Sequence, residues 1–193
     1  MEQRVIEFFN GSIEATMSAG EGLVLPLVES ASVIVEALLG EGRLFTCGNG
    51  LSSTLASTFS YCLLNPYRIE RPGFPAMCLS VDGVTGTGIT QQANFSELYS
   101  RQLRALARSG DILALFSNGS NSGNLVQAVR TAHDRDLTVI AFTGARDADI
   151  SALLTGEDVE LRVENEDPYR IQETQLLSVF CLCELIEQQL FGG

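Results

Sequence analysis

The chain contains no lysine and no tryptophan, and only one histidine, His133, among its 193 residues. All 12 basic residues are therefore arginine, and they stand against 24 acidic ones for a formal net charge of -12. A nucleic-acid backbone repels such a chain, so direct nucleic-acid binding is not expected. There is no Gly-Lys-Ser/Thr loop and no G-x-G-x-x-G, which removes the Walker and dinucleotide fingerprints. No uninterrupted apolar run approaches the roughly 20 residues of a membrane span; even Leu176 to Cys183 is broken by Ser178. The start, Met1-Glu2-Gln3-Arg4-Val5-Ile6-Glu7, lacks the basic and apolar segments of a secretory signal, and a cytoplasmic protein is expected. Cysteines 47, 62, 78, 181 and 183 are odd in number and sit in apolar runs, the pattern of reduced core thiols. Cys181 and Cys183, two apart, lack zinc-site spacing, and no metal or cofactor is expected.

What is present is a chain 45% hydrophobic, enough for one well-buried domain over residues 1–193. Residues 1–40 repeat apolar positions at helical spacing and are broken at Gly20-Glu21-Gly22, which predicts two N-terminal helices. Residues 41–193 then alternate. Arg43 to Cys47 reads as a strand, Ser52 to Leu64 as a helix, Ala76 to Ser80 as a strand, and Ser96 to Arg108 as a helix. Ile112 to Ser117 is a strand, Asn121 to His133 a helix, and Leu137 to Thr143 and Val159 to Val163 are strands before a last helix from Pro168 to Phe191. Strand and helix in alternation imply an α/β domain whose parallel sheet is covered by helices on both faces.

Ligands of such sheets bind beyond the carboxyl ends of the strands, where the strand order reverses. Two loops suit that place. Cys47-Gly48-Asn49-Gly50-Leu51-Ser52-Ser53 and Ser117-Asn118-Gly119-Ser120-Asn121-Ser122-Gly123-Asn124 both lead directly into helices. Free amides and the positive end of a helix dipole hold a phosphate without lysine or arginine, so both loops are candidate anion cradles. The candidate phosphosugar-binding residues are Asn49, Gly50, Ser52, Ser117, Asn118, Ser122 and, from the last helix, Gln172.

The CGNG-x-S loop, the segment Glu70 to Ala76, the run Gly119-Ser120-Asn121-Ser122, the strand ending Phe142-Thr143-Gly144 and the helix start Arg170-Ile171-Gln172-Glu173 resemble a sugar isomerase (SIS) domain over essentially the whole chain. More narrowly, they are similar to the phosphoheptose isomerases and to the related bacterial DnaA initiator-associating proteins. The resemblance implies a flavodoxin-like, five-stranded parallel sheet of order 2-1-3-4-5, a homotetramer, and a phosphosugar pocket at these loops. It also implies a His and a Glu on the helix after CGNG and a Gln and a His on the last helix as catalytic or metal-binding groups. Those positions read Thr58, Cys62, Gln172 and Phe180 here. Aldose to ketose isomerisation needs a proton-transferring base, and a thiol replaces a carboxylate poorly.

That loss points to a non-catalytic adaptor for the replication initiator DnaA, with a phosphoheptose isomerase of rearranged site or a phosphosugar-sensing module as alternatives. Leu190 and Phe191, followed only by Gly192-Gly193, form a small apolar patch that could anchor the partner. His133 is expected as a surface group at the end of its helix, away from the site.

Overall fold

The protein is described by a computed structural model covering residues 1–119 and 122–192. Ser120 and Asn121 of the second loop, and Gly193, lie outside the described residues. In chain order the elements are α1 (Glu2–Leu39), β1 (Leu44–Gly48), α2 (Leu51–Leu64), β2 (Ala76–Cys78), α3 (Gly83–Gln92) and α4 (Glu97–Leu106). There follow β3 (Ile112–Phe116), α5 (Gly123–Asp134), β4 (Thr138–Gly144), α6 (Ala148–Ser151), β5 (Val159–Val163) and α7 (Pro168–Phe191). The strands form one parallel sheet of order β2-β1-β3-β4-β5, so the order reverses between β1 and β3.

Both faces of the sheet are buried, which is why β3 and β4 are apolar without alternation. Ile112, Ala114 and Phe116 of β3, with Ile140 and Phe142 of β4, pack under α1, α2 and α7. Leu113, Leu115, Val139 and Ala141 point to the opposite face, under α4 and α5. Phe116 stacks on Phe142 at 4.1 Å, and Phe59 of α2 meets both rings edge-on at 6.4 and 6.3 Å.

Three features depart from the sequence reading. Residues 2–39 form one helix, not two. Gly20 and Gly22 each weaken a helix by about 1 kcal/mol relative to alanine but do not stop it, and packing along α7 and β5 carries the helix through them. This helix is also long and apolar enough, by length and composition alone, to cross a membrane; its apolar residues are spread among polar ones, so no single run shows it. Finally, α3 and α6 were not foreseen. α3 contains Gly83, Gly86 and Gly88, a poor helix former, and is started by Asp82, whose carboxylate accepts hydrogen bonds from the Val84 and Thr85 amides at 2.8 and 2.9 Å.

A buried ion pair fastens α7 to the end of α2. The Arg71 guanidinium donates to the Cys62, Leu63 and Asn65 carbonyls at 2.9, 2.9 and 3.1 Å, and to Glu187 at 2.7 Å. It thereby satisfies carbonyls that the helix end leaves open. Glu187 also accepts from the Tyr67 and Arg68 amides at 3.0 and 3.1 Å. Burial pushes the Glu187 carboxyl up, but Arg71 and the two amides outweigh it and hold the group below the usual carboxylate range. A carboxyl whose folded pKa is depressed stabilises the fold above its unfolded pKa, and that contribution fades as pH falls through the folded value. Urea midpoints measured between pH 7 and pH 3 should therefore fall in the natural protein and change less in Glu187→Gln.

Candidate functional site

β1 ends at Gly48, where the chain turns sharply into α2. A Cβ at Gly48 would lie 2.7 Å from the Ser52 carbonyl oxygen and 3.1 Å from that of Phe116, so no larger residue fits. Gly50, with φ of 55°, uses the left-handed region that glycine tolerates. The Ser52 and Ser53 amides bond back to the Asn49 and Gly50 carbonyls at 3.0 and 3.1 Å, and no side chain caps the N-terminus of α2.

Asn49 joins this loop to the second one. Its amide pairs reciprocally with that of Asn124 in the first turn of α5, each Nδ2 donating to the other's Oδ1 at 2.8 Å. Tyr99 of α4 donates to the Gly48 carbonyl at 2.6 Å and to Asn49 Oδ1 at 3.1 Å. One asparagine thus ties two loops and a helix together. Replacing Asn49 by alanine would leave the Asn124 amide without its partner. The expected result is a loss of about 1 to 3 kcal/mol of stability, read as a lower denaturation midpoint.

Ser117 is fully engaged. Its amide donates to the Phe142 carbonyl at 2.8 Å, its hydroxyl to Asp147 at 2.6 Å, and its carbonyl accepts from Gln175 Nε2 at 2.7 Å. Asn118 is half-buried and Ser122 buried, and both make polar or electrostatic contacts of their own. Gln172 of α7 reaches across to the start of α2, donating from Nε2 to the Leu51 carbonyl at 2.9 Å. Because each glutamine Nε2 faces a carbonyl, which can only accept, the orientation of both amides is determined. Gln172 Oε1, Gln175 Oε1 and Ser52 Oγ are buried and have no hydrogen-bond partner among the described residues.

A cavity of about 280 Å³ opens on the β2 side of the first loop, lined by Cys47, Asn49, Gly50, Ser53, Cys78, Ser80, Phe95 and Tyr99, among others. Of the seven residues picked out from the sequence, Asn49 and Gly50 line it. A second hollow of about 490 Å³ over α3 shares Val81, Phe95 and Leu98 with it. Tyr99, Cys78 and Asn124 were not read from the sequence as site residues. Asn124 was within reach, because it closes the Ser/Asn-rich loop. Burial pushes the Cys47 thiol and the Tyr99 hydroxyl well up, so both are neutral at physiological pH.

Three of the four positions expected to carry catalytic groups hold other residues. Thr58 donates back to the Thr54 carbonyl at 2.7 Å within α2. Cys62 is buried beside Cys183, its thiol pushed up chiefly by burial. Phe180 stacks on Tyr67 at 6.2 Å. A hydroxyl, a buried neutral thiol, an amide and a phenyl ring do not fit a zinc ion, which takes imidazole, thiolate or carboxylate ligands. Among the described residues no group of three or more His, Cys, Asp or Glu side chains could hold a metal. His133 lies in the last turn of α5, partly buried and 2.8 Å from Asp158.

The doubly wound sheet of order 2-1-3-4-5, with Gly- and Ser-rich loops at its switch point, is the architecture of the SIS domain family. The chain belongs to that family, whose model matches residues 8–144. Along its whole length it is similar to phosphoheptose isomerases. It is 44% identical to the phosphoheptose isomerase of Chromohalobacter salexigens, over 100% of this chain and 98% of that protein. It is 40% identical to the one from Alkalilimnicola ehrlichii, over 98% and 97%. The structure of a phosphoheptose isomerase from Francisella tularensis superposes with a TM-score of 0.92 at 34% identity, covering 96% of this chain and 97% of that one. The structure from Neisseria gonorrhoeae gives 0.91 at 35% identity, covering 97% and 98%.

These full-length matches overturn the reading of the chain as a non-catalytic DnaA adaptor. That reading rested on the residues at a few catalytic positions, whereas the likeness to phosphoheptose isomerases extends through every element of the fold. Leu190 packs against the core under α7, and Phe191, 48% exposed, stacks on Phe74 at 6.2 Å.

Proposed function

We propose that the chain is a phosphosugar isomerase that acts on sedoheptulose 7-phosphate, with a site rearranged at Thr58, Cys62 and Phe180. The observation that carries the binding side of this reading is the set of buried, unpartnered oxygens Ser52 Oγ, Gln172 Oε1 and Gln175 Oε1, beside two loops tied by Asn49 and Asn124. A buried oxygen without a partner costs about 1 to 3 kcal/mol, and a polyhydroxylated ligand supplies the missing donors. The start of α2 has no side-chain cap, and its positive dipole end favours a phosphate there. The full-length relatives support the isomerase assignment.

A second reading, binding of a phosphosugar without turnover, is favoured by the absence of carboxylate or imidazole at Thr58, Cys62 and Phe180. Proton magnetic resonance of purified protein with sedoheptulose 7-phosphate separates the two. New aldoheptose signals support the isomerase, and substrate line broadening without conversion supports the sensing module.

The reading includes a homotetramer. Val5, Phe9, Ile13 and Met17 recur every four residues along α1 and are exposed, a stripe that a second helix would cover. Changing Phe9 to Glu should shift the mass measured by sedimentation to a smaller species, and an unchanged mass would count against α1 as the interface.

A further inference from the structure

Residues 2–22, the first half of α1, include no buried residue, and burial begins only at Leu23. Most of a helix's stability in a folded protein comes from packing, so a segment this far outside the core needs a fastening elsewhere. One face provides it. Gly11, Ser12, Ala15, Thr16 and Ala19 are half-buried and recur at helical spacing, and their small side chains let α7 come close.

Arg170, in the first turn of α7, is buried and lies over the Phe8 ring, its guanidinium carbon 4.0 Å from the ring centroid. Its Nη2 donates to the Phe8 carbonyl at 2.9 Å and its Nη1 to Glu173 at 2.8 Å. Glu173 Oε2 also accepts from the Ser12 hydroxyl at 2.7 Å, so side chains of α1 and α7 close on one carboxylate oxygen. Burial pushes the Glu173 carboxyl up, but Ser12 and Arg170 outweigh it and hold the group below the usual carboxylate range. A Cβ at Gly11 would lie 3.7 Å from Arg170 Nη2, which sets the guanidinium against the α1 backbone. A planar guanidinium can make all of these contacts at once, whereas a lysine ammonium is a single point charge. The clamp stands one helical turn from the site. Gln172 and Gln175 donate to the Leu51 and Ser117 carbonyls from the same stretch of α7, and their Oε1 atoms are the buried oxygens left without a partner among the described residues. A shift of the start of α7 therefore moves both amides together.

We propose that Arg170 is a positioning residue for the site: it clamps the first half of α1 to the first turn of α7 and thereby sets where Gln172 and Gln175 present their free oxygens to a bound sugar. The inference rests on the phosphosugar reading for its ligand, but the clamp itself stands on the hydrogen bonds to Phe8 and Glu173. Arg170→Met keeps the apolar stem of the side chain and removes its donors.

Two measurements on the full-length variant test it. Amide hydrogen exchange over residues 5–17 and 171–175 should accelerate roughly tenfold, while exchange in β3 and β4 stays as in the natural protein. The KM for sedoheptulose 7-phosphate, or the Kd if there is no turnover, should rise roughly tenfold with kcat nearly unchanged. Arg170→Lys, which keeps a charge for Glu173 but not the second arm for the Phe8 carbonyl, should recover part of that affinity. Unchanged exchange in α1, unchanged affinity, or a lysine variant no better than the methionine one would each overturn the proposal. So would a fall in kcat at constant KM, or acceleration spread evenly through the sheet, which a general loss of stability produces. If Arg170→Met does not fold, Ser12→Ala removes one bond to Glu173 and should shift exchange and affinity in the same direction by less; no shift there overturns the proposal. A natural protein that neither binds nor converts sedoheptulose 7-phosphate would overturn the phosphosugar reading and the ligand half of this inference, while the exchange comparison still decides the clamp, so the two failures are distinguishable.

Discussion

Replacing Arg71 with alanine is expected to destabilise the fold by about 3 to 5 kcal/mol, the range seen when one partner of a buried pair is removed. The two side chains are 1% and 5% exposed, so Glu187 would be left as an uncompensated charge in the core. The Cys62, Leu63 and Asn65 carbonyls at the end of α2 would lose their donor in the same step. Arg71 also lies over the Phe74 ring at 4.0 Å, and Phe74 in turn carries Phe191, so the end of α7 should loosen with it. Urea denaturation measures the effect. A loss below about 1 kcal/mol, the scale of an exposed pair, would show that the cluster is not a buried fastening. Replacing Arg71 and Glu187 together by Met and Leu should recover only the part of the loss due to a charge buried alone, because the carbonyls and amides that the pair satisfies stay open.

The second large effect is expected at Gly48→Ala. The new methyl would meet the Ser52 and Phe116 carbonyl oxygens at 2.7 and 3.1 Å, and both are backbone atoms that no rotamer change can move aside. The turn from β1 into α2 must then shift, carrying the start of α2, the Asn49 link to Asn124 and the Tyr99 bond to the Gly48 carbonyl with it. Misplacement of a site by about 1 Å costs on the order of a hundredfold in rate, and kcat/KM is expected to fall by that order. The same variant should lose binding of sedoheptulose 7-phosphate where turnover is absent. Kinetics and binding indistinguishable from the natural protein would mean that this loop takes no part in the site.

Much of the scaffold was legible from the chain itself. β5 and α7 are found at the residues expected, and β3 and β4 lie within a residue of theirs, because apolar/polar alternation in β5, uniform apolar runs in β3 and β4 and a Pro-initiated helix are strong local signals. The unbroken α1 was not legible, since a pair of glycines looks like a break when the packing that overrides them, along α7, is 130 residues or more away in sequence. α3 failed for the opposite reason: its residues disfavour helix and one aspartate cap starts it. At the site, glycine, serine and asparagine before a helix exposed both loops. What held those loops did not show, because Asp147, Gln175 and Tyr99 are single polar residues in separate segments, and only the folded sheet brings them to Ser117, Gly119 and Gly48. The direction of the error about function has a physical source as well. Cys62 is a core residue and Phe180 packs against the core, but three departing positions weigh less than the likeness of a whole chain.

The central claim, that this chain converts a sugar phosphate, is tested most directly by incubating the purified protein with sedoheptulose 7-phosphate and following both sugars by proton and phosphorus magnetic resonance. The account predicts time-dependent appearance of the aldoheptose phosphate at a rate proportional to protein concentration, and its loss in Gly48→Ala. A substrate spectrum that stays unchanged at high protein concentration, with no conversion in the natural protein, would contradict it.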